Sequence, residues 1–228
     1  MLDIQKHKYL LVQILKDIYS DKDISSIIGF KGGTAAFLFY DLPRFSLDLD
    51  FNLLESGKKD LVFKRIKDIL KEYGNVKTAR EKRYTIFFLL SYGEEATNIK
   101  VEISKREFSD NYEVKNYLGI PMLVMKKEDI FAHKIVAFTD RKNIANRDVF
   151  DLCFFFKKNW DINREIVELR TGKKIRDYLK NCIKMVKKLN ETYILQGLGE
   201  VLDQEQKKWV KKNLKKDLIF LMKNYIKS

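Results

Sequence analysis

Apolar side chains recur three and four residues apart at Tyr9-Leu10, Val12, Ile14-Leu15 and Ile18-Tyr19. That spacing predicts an amphipathic helix over about 5–20. Ile27-Ile28-Gly29-Phe30 is a short apolar run, read as a strand that delivers Lys31-Gly32-Gly33 to a helix over Thr34–Asp41, stopped by Pro43. The period then changes to two. Leu47, Leu49 and Phe51 alternate with Asp48 and Asp50, which predicts a strand with both carboxylates on one face. A helix over about 59–72 closes at Gly74. Tyr84–Tyr92 is rich in β-branched and aromatic residues. After a turn at Gly93-Glu94-Glu95, Asn98–Ser104 sets Ile99, Val101 and Ile103 against Lys100, Glu102 and Ser104, completing a hairpin signal. Glu102 thus lies opposite the apolar face, as Asp48 and Asp50 do. Met122–Met125 reads as a last strand. Beyond Lys126 the pattern is helical, over about 127–140, 147–159, 161–170, 173–189 and 206–226.

Strands interleaved with helices and then a run of helices define an α+β chain. The predicted division is a mixed α/β core over 1–120 and a mainly helical domain over 121–228. A length of 228 residues gives room for a core, and 45% hydrophobic residues with only two prolines argue against a disordered chain. No apolar run approaches the roughly 18 residues of a membrane helix. Met1–His7 lacks the pattern of a secretion signal, and Cys153 and Cys182 lack disulfide or zinc spacing. The expectation is a cytoplasmic protein with reduced core thiols and no membrane partner.

Charge sharpens the picture. The net charge is +13, and from Asp151 onward 19 Lys and Arg face 10 Asp and Glu, an excess of nine. A basic helical half suits a polyanionic partner, RNA before membrane, although a solvated lysine-rich surface gives the same composition. Lysine outnumbers arginine, which favours phosphate contact over base reading.

Two constellations carry candidate chemistry. Gly32 and Gly33 allow backbone amides to approach a phosphate, and the helix that follows, with Thr34 in its first turn, adds its N-terminal dipole. Asp48 and Asp50, with Glu102 as third acid, form a set of metal ligands that would bridge Mg²⁺ or Mn²⁺ to phosphates. Glu107 lies a little further on. In the second block, Lys134 and Arg141 are seven apart and share a helix face suited to a triphosphate. Arg147, Asp148 and Asp151 open the next helix, where acids also simply favour the dipole. His133 reads as a packed histidine, His7 carries no signal, and Phe87-Phe88 and Phe154-Phe155-Phe156 read as core.

The first block, Lys31-Gly32-Gly33-Thr34, Arg44-Phe45-Ser46 and Asp48-Leu49-Asp50-Phe51, resembles the AbiEii/AbiGii-type toxin nucleotidyltransferases of the polymerase-β-like superfamily. The second, Ile130 to Arg141 followed by Asn146-Arg147-Asp148-Val149-Phe150-Asp151-Leu152, is similar to that family's lysine-bearing helix and the Arg-Asp-x-x-Asp-Leu segment after it. The resemblance covers about 27–155. It implies a nucleotidyltransferase core in which Asp48, Asp50, Glu102, Lys134 and Asp148 are catalytic. It further implies that Lys31, Gly32, Gly33, Thr34, Arg44, Ser46, Arg141 and Arg147 touch nucleotide or support the acid strand. The implied reaction moves a nucleoside monophosphate from an NTP to an acceptor, with tRNA as the acceptor associated with the family. The setting implied is a toxin–antitoxin or phage-defence pair, with a cognate antitoxin as protein partner. Two other readings stay open: a small-molecule, antibiotic-type nucleotidyltransferase, and an inactive nucleotide- or RNA-binding module.

Overall fold

The computed structural model describes residues 3–93, 98–141 and 143–227. These fall into two compact units, the first made of the described residues up to 41 and from 46 to 126, the second of residues 42–45 and the described residues from 127 onward.

The first unit is built on a seven-stranded mixed sheet. Its strands are β1 (Ile28–Lys31), β2 (Leu49–Leu53), β3 (Asn75–Glu81), β4 (Thr85–Ser91), β5 (Asn98–Ser104), β6 (Tyr112–Tyr117) and β7 (Ile120–Met125), in the spatial order β3-β4-β5-β2-β1-β7-β6. β2/β5 and β1/β7 are parallel and the other pairs antiparallel. One face carries Leu49, Phe51, Ile86, Phe88, Leu90, Ile99, Val101 and Ile103, all fully buried. Helix α1 (Ile4–Ser20) and helix α3 (Lys59–Lys71) cover that face, with Tyr19 against Phe51 and Phe63 against Phe88. In α3 the buried residues Val62, Ile66 and Leu70 are four apart, one stripe of the helix. A fully buried side chain of this size contributes roughly 1.5–3 kcal/mol, so the alternation of β2, β4 and β5 fixes which way their polar residues point.

Several details differ from the sequence expectation. β3 and β6 were not foreseen, and β7 starts at Ile120 and pairs with β1 and β6, so the units divide between Lys126 and Lys127. Helix α2 runs Gly32–Phe39 and ends four residues before Pro43; the chain turns at Asp41, whose φ is +58°. Asp48 lies one residue ahead of β2. The expected turn at Gly93-Glu94-Glu95 lies partly outside the described residues, but the β4/β5 hairpin that it connects is present.

The second unit contains α4 (Lys127–Asp140), α5 (Asn146–Lys157), α6 (Arg164–Thr171), α7 (Ile175–Lys187) and α8 (Gln204–Lys227). Its core includes Phe131, Phe155, Phe156 and Trp160; the Phe155 and Trp160 rings stack 4.3 Å apart. Burial pushes the free thiols of Cys153 and Cys182 up to about 12, which leaves them as unreactive core residues. Residues 42–45 join this unit through polar bonds. The Gln206 side-chain amide donates to the Pro43 carbonyl, Phe45 N–H donates to the Val201 carbonyl, and Arg44 donates to both oxygens of Asp151 at 2.5 and 2.6 Å. Lys134 Nζ lies 3.0 Å from the same carboxylate.

Burial alone would raise the Asp151 pKa, but the Arg44 and Lys134 cations outweigh it and hold the carboxyl below the usual range. A depressed carboxylate adds stability above its unfolded value and loses it as pH falls through the folded one. Asp151→Asn takes the carboxylate from the buried Arg44 and leaves Lys134 only that of Asp148, and is expected to cost about 3–5 kcal/mol at neutral pH. Urea unfolding should show the gap between variant and wild type narrowing below the ordinary aspartate value of 3.8.

Candidate active site

The acid group forms because β2 and β5 are parallel neighbours. Their register sets Asp50 opposite Glu102, and on the other side of β2 it sets Lys31 of β1 opposite Asp50. Asp48 and Lys100, each two residues earlier, share the same polar face by strand alternation. Gly32 joins the glycine turn to this group. Its φ is +78°, and a Cβ there would meet Asp50 Oδ2 at 2.6 Å. Only glycine accommodates both the left-handed backbone and the approach of the α2 N-terminus to the carboxylate. Thr34, buried in the first turn of α2, donates its hydroxyl to the Asp48 carbonyl. Gly33 and Ser46 are buried.

His7 is a residue of this site that the sequence did not disclose. It is buried, with Nε2 2.9 Å from the Leu47 carbonyl and Nδ1 2.5 Å from the Tyr92 hydroxyl. A carbonyl only accepts, so Nε2 carries the proton and Nδ1 accepts from Tyr92. Burial lowers the His7 pKa, which keeps the ring in this neutral form. It therefore fixes the backbone immediately before Asp48.

Lys100 is the second unforeseen member. Its ammonium lies 3.1 Å from Asp48 Oδ2 and 3.7 Å from Glu102 Oε2. Desolvation would lower the Lys100 pKa, but Asp48, Asp50 and Glu102 together hold it above its ordinary value. Asp50 shifts the other way. Burial raises its pKa, and Asp48 and Glu102 add to the rise while Lys100 and Lys31 oppose it. Three carboxylates offer the hard oxygen donors that Mg²⁺ or Mn²⁺ prefers. As they stand, however, no three His, Cys, Asp or Glu side chains among the described residues are grouped to hold a metal ion. The donor chemistry fits a divalent cation, and Lys100 holds the position between Asp48 and Glu102. Glu107 is exposed beyond the end of β5.

The helical unit gathers the other block. Lys134 Nζ is 3.0 Å from Asp148 Oδ1 and 3.0 Å from Asp151 Oδ2, and Arg141 Nε is 3.3 Å from Asp148 Oδ2. Lys134 is 15% exposed and Asp148 1%. Burial lowers the Lys134 pKa, but Asp151 and Asp148 outweigh it and raise it overall, so the ammonium is charged. Arg44 is 4% exposed and bonded to Asp151 and the Phe45 carbonyl, which makes it a tether of residues 42–45. Arg147 is half-buried and lines a cavity of about 420 Å³ with Asn146 and Gln196. His133 packs against Arg170, its Nδ1 2.8 Å from the guanidinium.

Residues 13–221 match the family described as nucleotidyl transferase AbiEii toxin, Type IV TA system. The chain belongs to this family of toxin nucleotidyltransferases. Among solved structures it resembles JHP933 from Helicobacter pylori, with 24% identity and a TM-score of 0.64, over 100% of this chain and 93% of that one. It also resembles an H. pylori protein described provisionally as a nucleotidyltransferase, with 23% identity and a TM-score of 0.66, over 100% and 96% of the two chains. At these identities the likeness is one of fold. No curated protein matches the chain significantly.

Two substitutions test the acid cradle. Gly32→Ala should cost about 1–3 kcal/mol of stability through backbone strain and weaken Mn²⁺ binding by displacing Asp50. Lys100→Met should strengthen Mn²⁺ binding several-fold in calorimetry, since a unit charge at about 4 Å contributes roughly 1 kcal/mol even in water. Unchanged or weaker binding by Lys100→Met would show that the ammonium does not compete for the cation position.

Proposed function

We propose that the chain is a cytoplasmic toxin that transfers a nucleoside monophosphate from an NTP to an acceptor hydroxyl at the 3′ end of tRNA, with pyrophosphate leaving and a cognate antitoxin restraining it. The observation that carries the reading is the contact of Gly32 with Asp50. It joins an anion-receptive helix start to paired carboxylates, the two things that phosphoryl chemistry on a triphosphate requires.

In this reading Asp48, Asp50 and Glu102 would hold Mg²⁺, at the position where Lys100 now meets Asp48 and Glu102. Mg²⁺ supplies charge neutralisation and polarisation of phosphate and hydroxyl oxygens. Gly32, Gly33 and the amides of the first turn of α2 receive phosphate oxygens, with Lys31 beside Asp50 adding positive charge. Thr34 and His7 hold the backbone on either side of the Asp48 carboxylate. Lys134, kept ionised by Asp148 and Asp151, is a fixed positive charge of the helical unit suited to an anionic substrate or RNA, with Arg141 and Arg147 as further cations. The exposed lysines of α8, Lys208, Lys211, Lys212 and Lys216, suit an RNA backbone.

Total tRNA incubated with Mg²⁺ and each labelled NTP in turn should become labelled by the wild type and not by Asp48→Ala. In cells, expression of the wild type should arrest growth and the Asp48→Ala/Asp50→Ala variant should not. Equal arrest by both would refute toxicity by transfer.

A further inference from the structure

The polar row that holds the acids continues past them across the sheet. In register, Lys31 of β1 is followed by Asp50 of β2, Glu102 of β5, Phe87 of β4 and Arg80 of β3. Neighbouring strands are about 4.8 Å apart, so the Phe87 backbone is one strand from Glu102 and two from Asp50. Phe87 does not belong to the core. Phe88 fills the apolar face, while Phe87 alternates onto the polar face and is half-buried. Phe87 shares this face with the half-buried Leu89 two residues along β4, and its register neighbours are Glu102 on one side and Arg80 on the other.

Cations surround this ring and the next one. Lys82 Nζ lies 4.4 Å and Arg80 Cζ 5.6 Å from the Phe87 ring centroid. Along the same edge, Tyr84 is 44% exposed, with the Arg83 and Arg106 guanidinium carbons 4.9 and 4.7 Å from its centroid. Among the described residues, none of Arg80, Lys82, Arg83 and Arg106 is in a salt bridge. The nearby acid Glu81 is engaged by Lys59 and Lys105, while Glu107 is exposed beside Arg106. The result is two aromatic rings with two cations against each, Phe87 one strand away from Glu102 and Tyr84 in the turn that leads into β4. Such a surface suits a nucleic-acid strand whose bases are unpaired, because rings stack on bases and cations meet phosphates.

We infer that the β3–β4 edge is the acceptor subsite, on which the unpaired 3′ end of an RNA lies with bases on Phe87 and Tyr84 and phosphates on Arg80, Lys82, Arg83 and Arg106. This rests on the proposed transfer to RNA and deepens it. A base on Phe87 brings its own ribose, or the next one, to the carboxylates of Glu102 and Asp50. The bases contact π-faces and not hydrogen-bonding edges, so this subsite selects an unpaired end and not a sequence. A duplex end, whose bases are already stacked and paired, gains nothing from the rings.

The test uses a fluorescein-labelled RNA hairpin with a four-nucleotide unpaired 3′ tail, and the same hairpin with a blunt end, in anisotropy titrations at several salt concentrations. The wild type should prefer the tailed hairpin. Phe87→Ala should weaken tailed binding about 5- to 150-fold, the range that stacking contributes per base, and leave blunt binding and Mn²⁺ binding unchanged. Phe87→Trp should bind the tail like the wild type, which separates lost stacking from lost folding. Arg80→Gln/Lys82→Gln should lower the salt slope by about two. Equal binding of tailed and blunt hairpins, wild-type binding by Phe87→Ala, or label transferred to a protein in place of RNA would each overturn the subsite. The two proposals fail separately. Tail binding through Phe87 without label from any NTP would sustain the subsite and refute transfer, whereas RNA labelling that Phe87→Ala leaves intact would do the reverse.

Discussion

Three carboxylates held on one face of a sheet repel one another, and the sheet unit is arranged around that repulsion. Asp50 and Glu102 cannot separate, because the parallel register of β2 and β5 sets them opposite each other and the apolar residues between them are buried on the far face. The cost is visible in Asp50, whose pKa burial and its neighbours Asp48 and Glu102 push up. Lys100 answers with an internal countercharge between Asp48 and Glu102. A site held in this way favours any cation that serves the same oxygens better than an ammonium, which is the condition for a divalent ion to enter.

Positive charge is placed differently in the helical unit. There a buried lysine is kept charged by two buried aspartates, and one of these also ties down residues 42–45 through Arg44. Buried ion groups of this kind add little net stability but are costly to break. Asp151 is therefore a support that fixes the ionisation of Lys134, while Asp148, shared between Lys134 and Arg141, links the two cations that the sequence places seven residues apart.

Much of this was legible in the chain because it depends on periodicity. The alternation of Leu49 and Phe51 with Asp48 and Asp50, and of Ile99, Val101 and Ile103 with Lys100 and Glu102, fixes faces whatever the partners are. The helices beyond Lys126 follow from three-and-four spacing, and their core residues from the same rule. β3 and β6 escaped because they are the two edge strands of the sheet. Edge strands carry charges on both faces and lack a clean alternation, as Asn-Val-Lys-Thr-Ala-Arg-Glu over Asn75–Glu81 illustrates. Phe87 and Phe88, expected as core, divide by the same alternation: Phe88 is inside and Phe87 shares the face of Glu102.

The sequence by itself determined the faces, the helical stripes and the family, since each is encoded within a few consecutive residues or in motifs that survive unfolding. Only the tertiary structure decided the neighbours. That Asp50 meets Glu102, that Gly32 rests on Asp50, that Lys100 enters the acid group and that His7 holds the residue before Asp48 all depend on which strand lies beside which. Strand order is settled by burying the whole sheet at once, and no local pattern contains it.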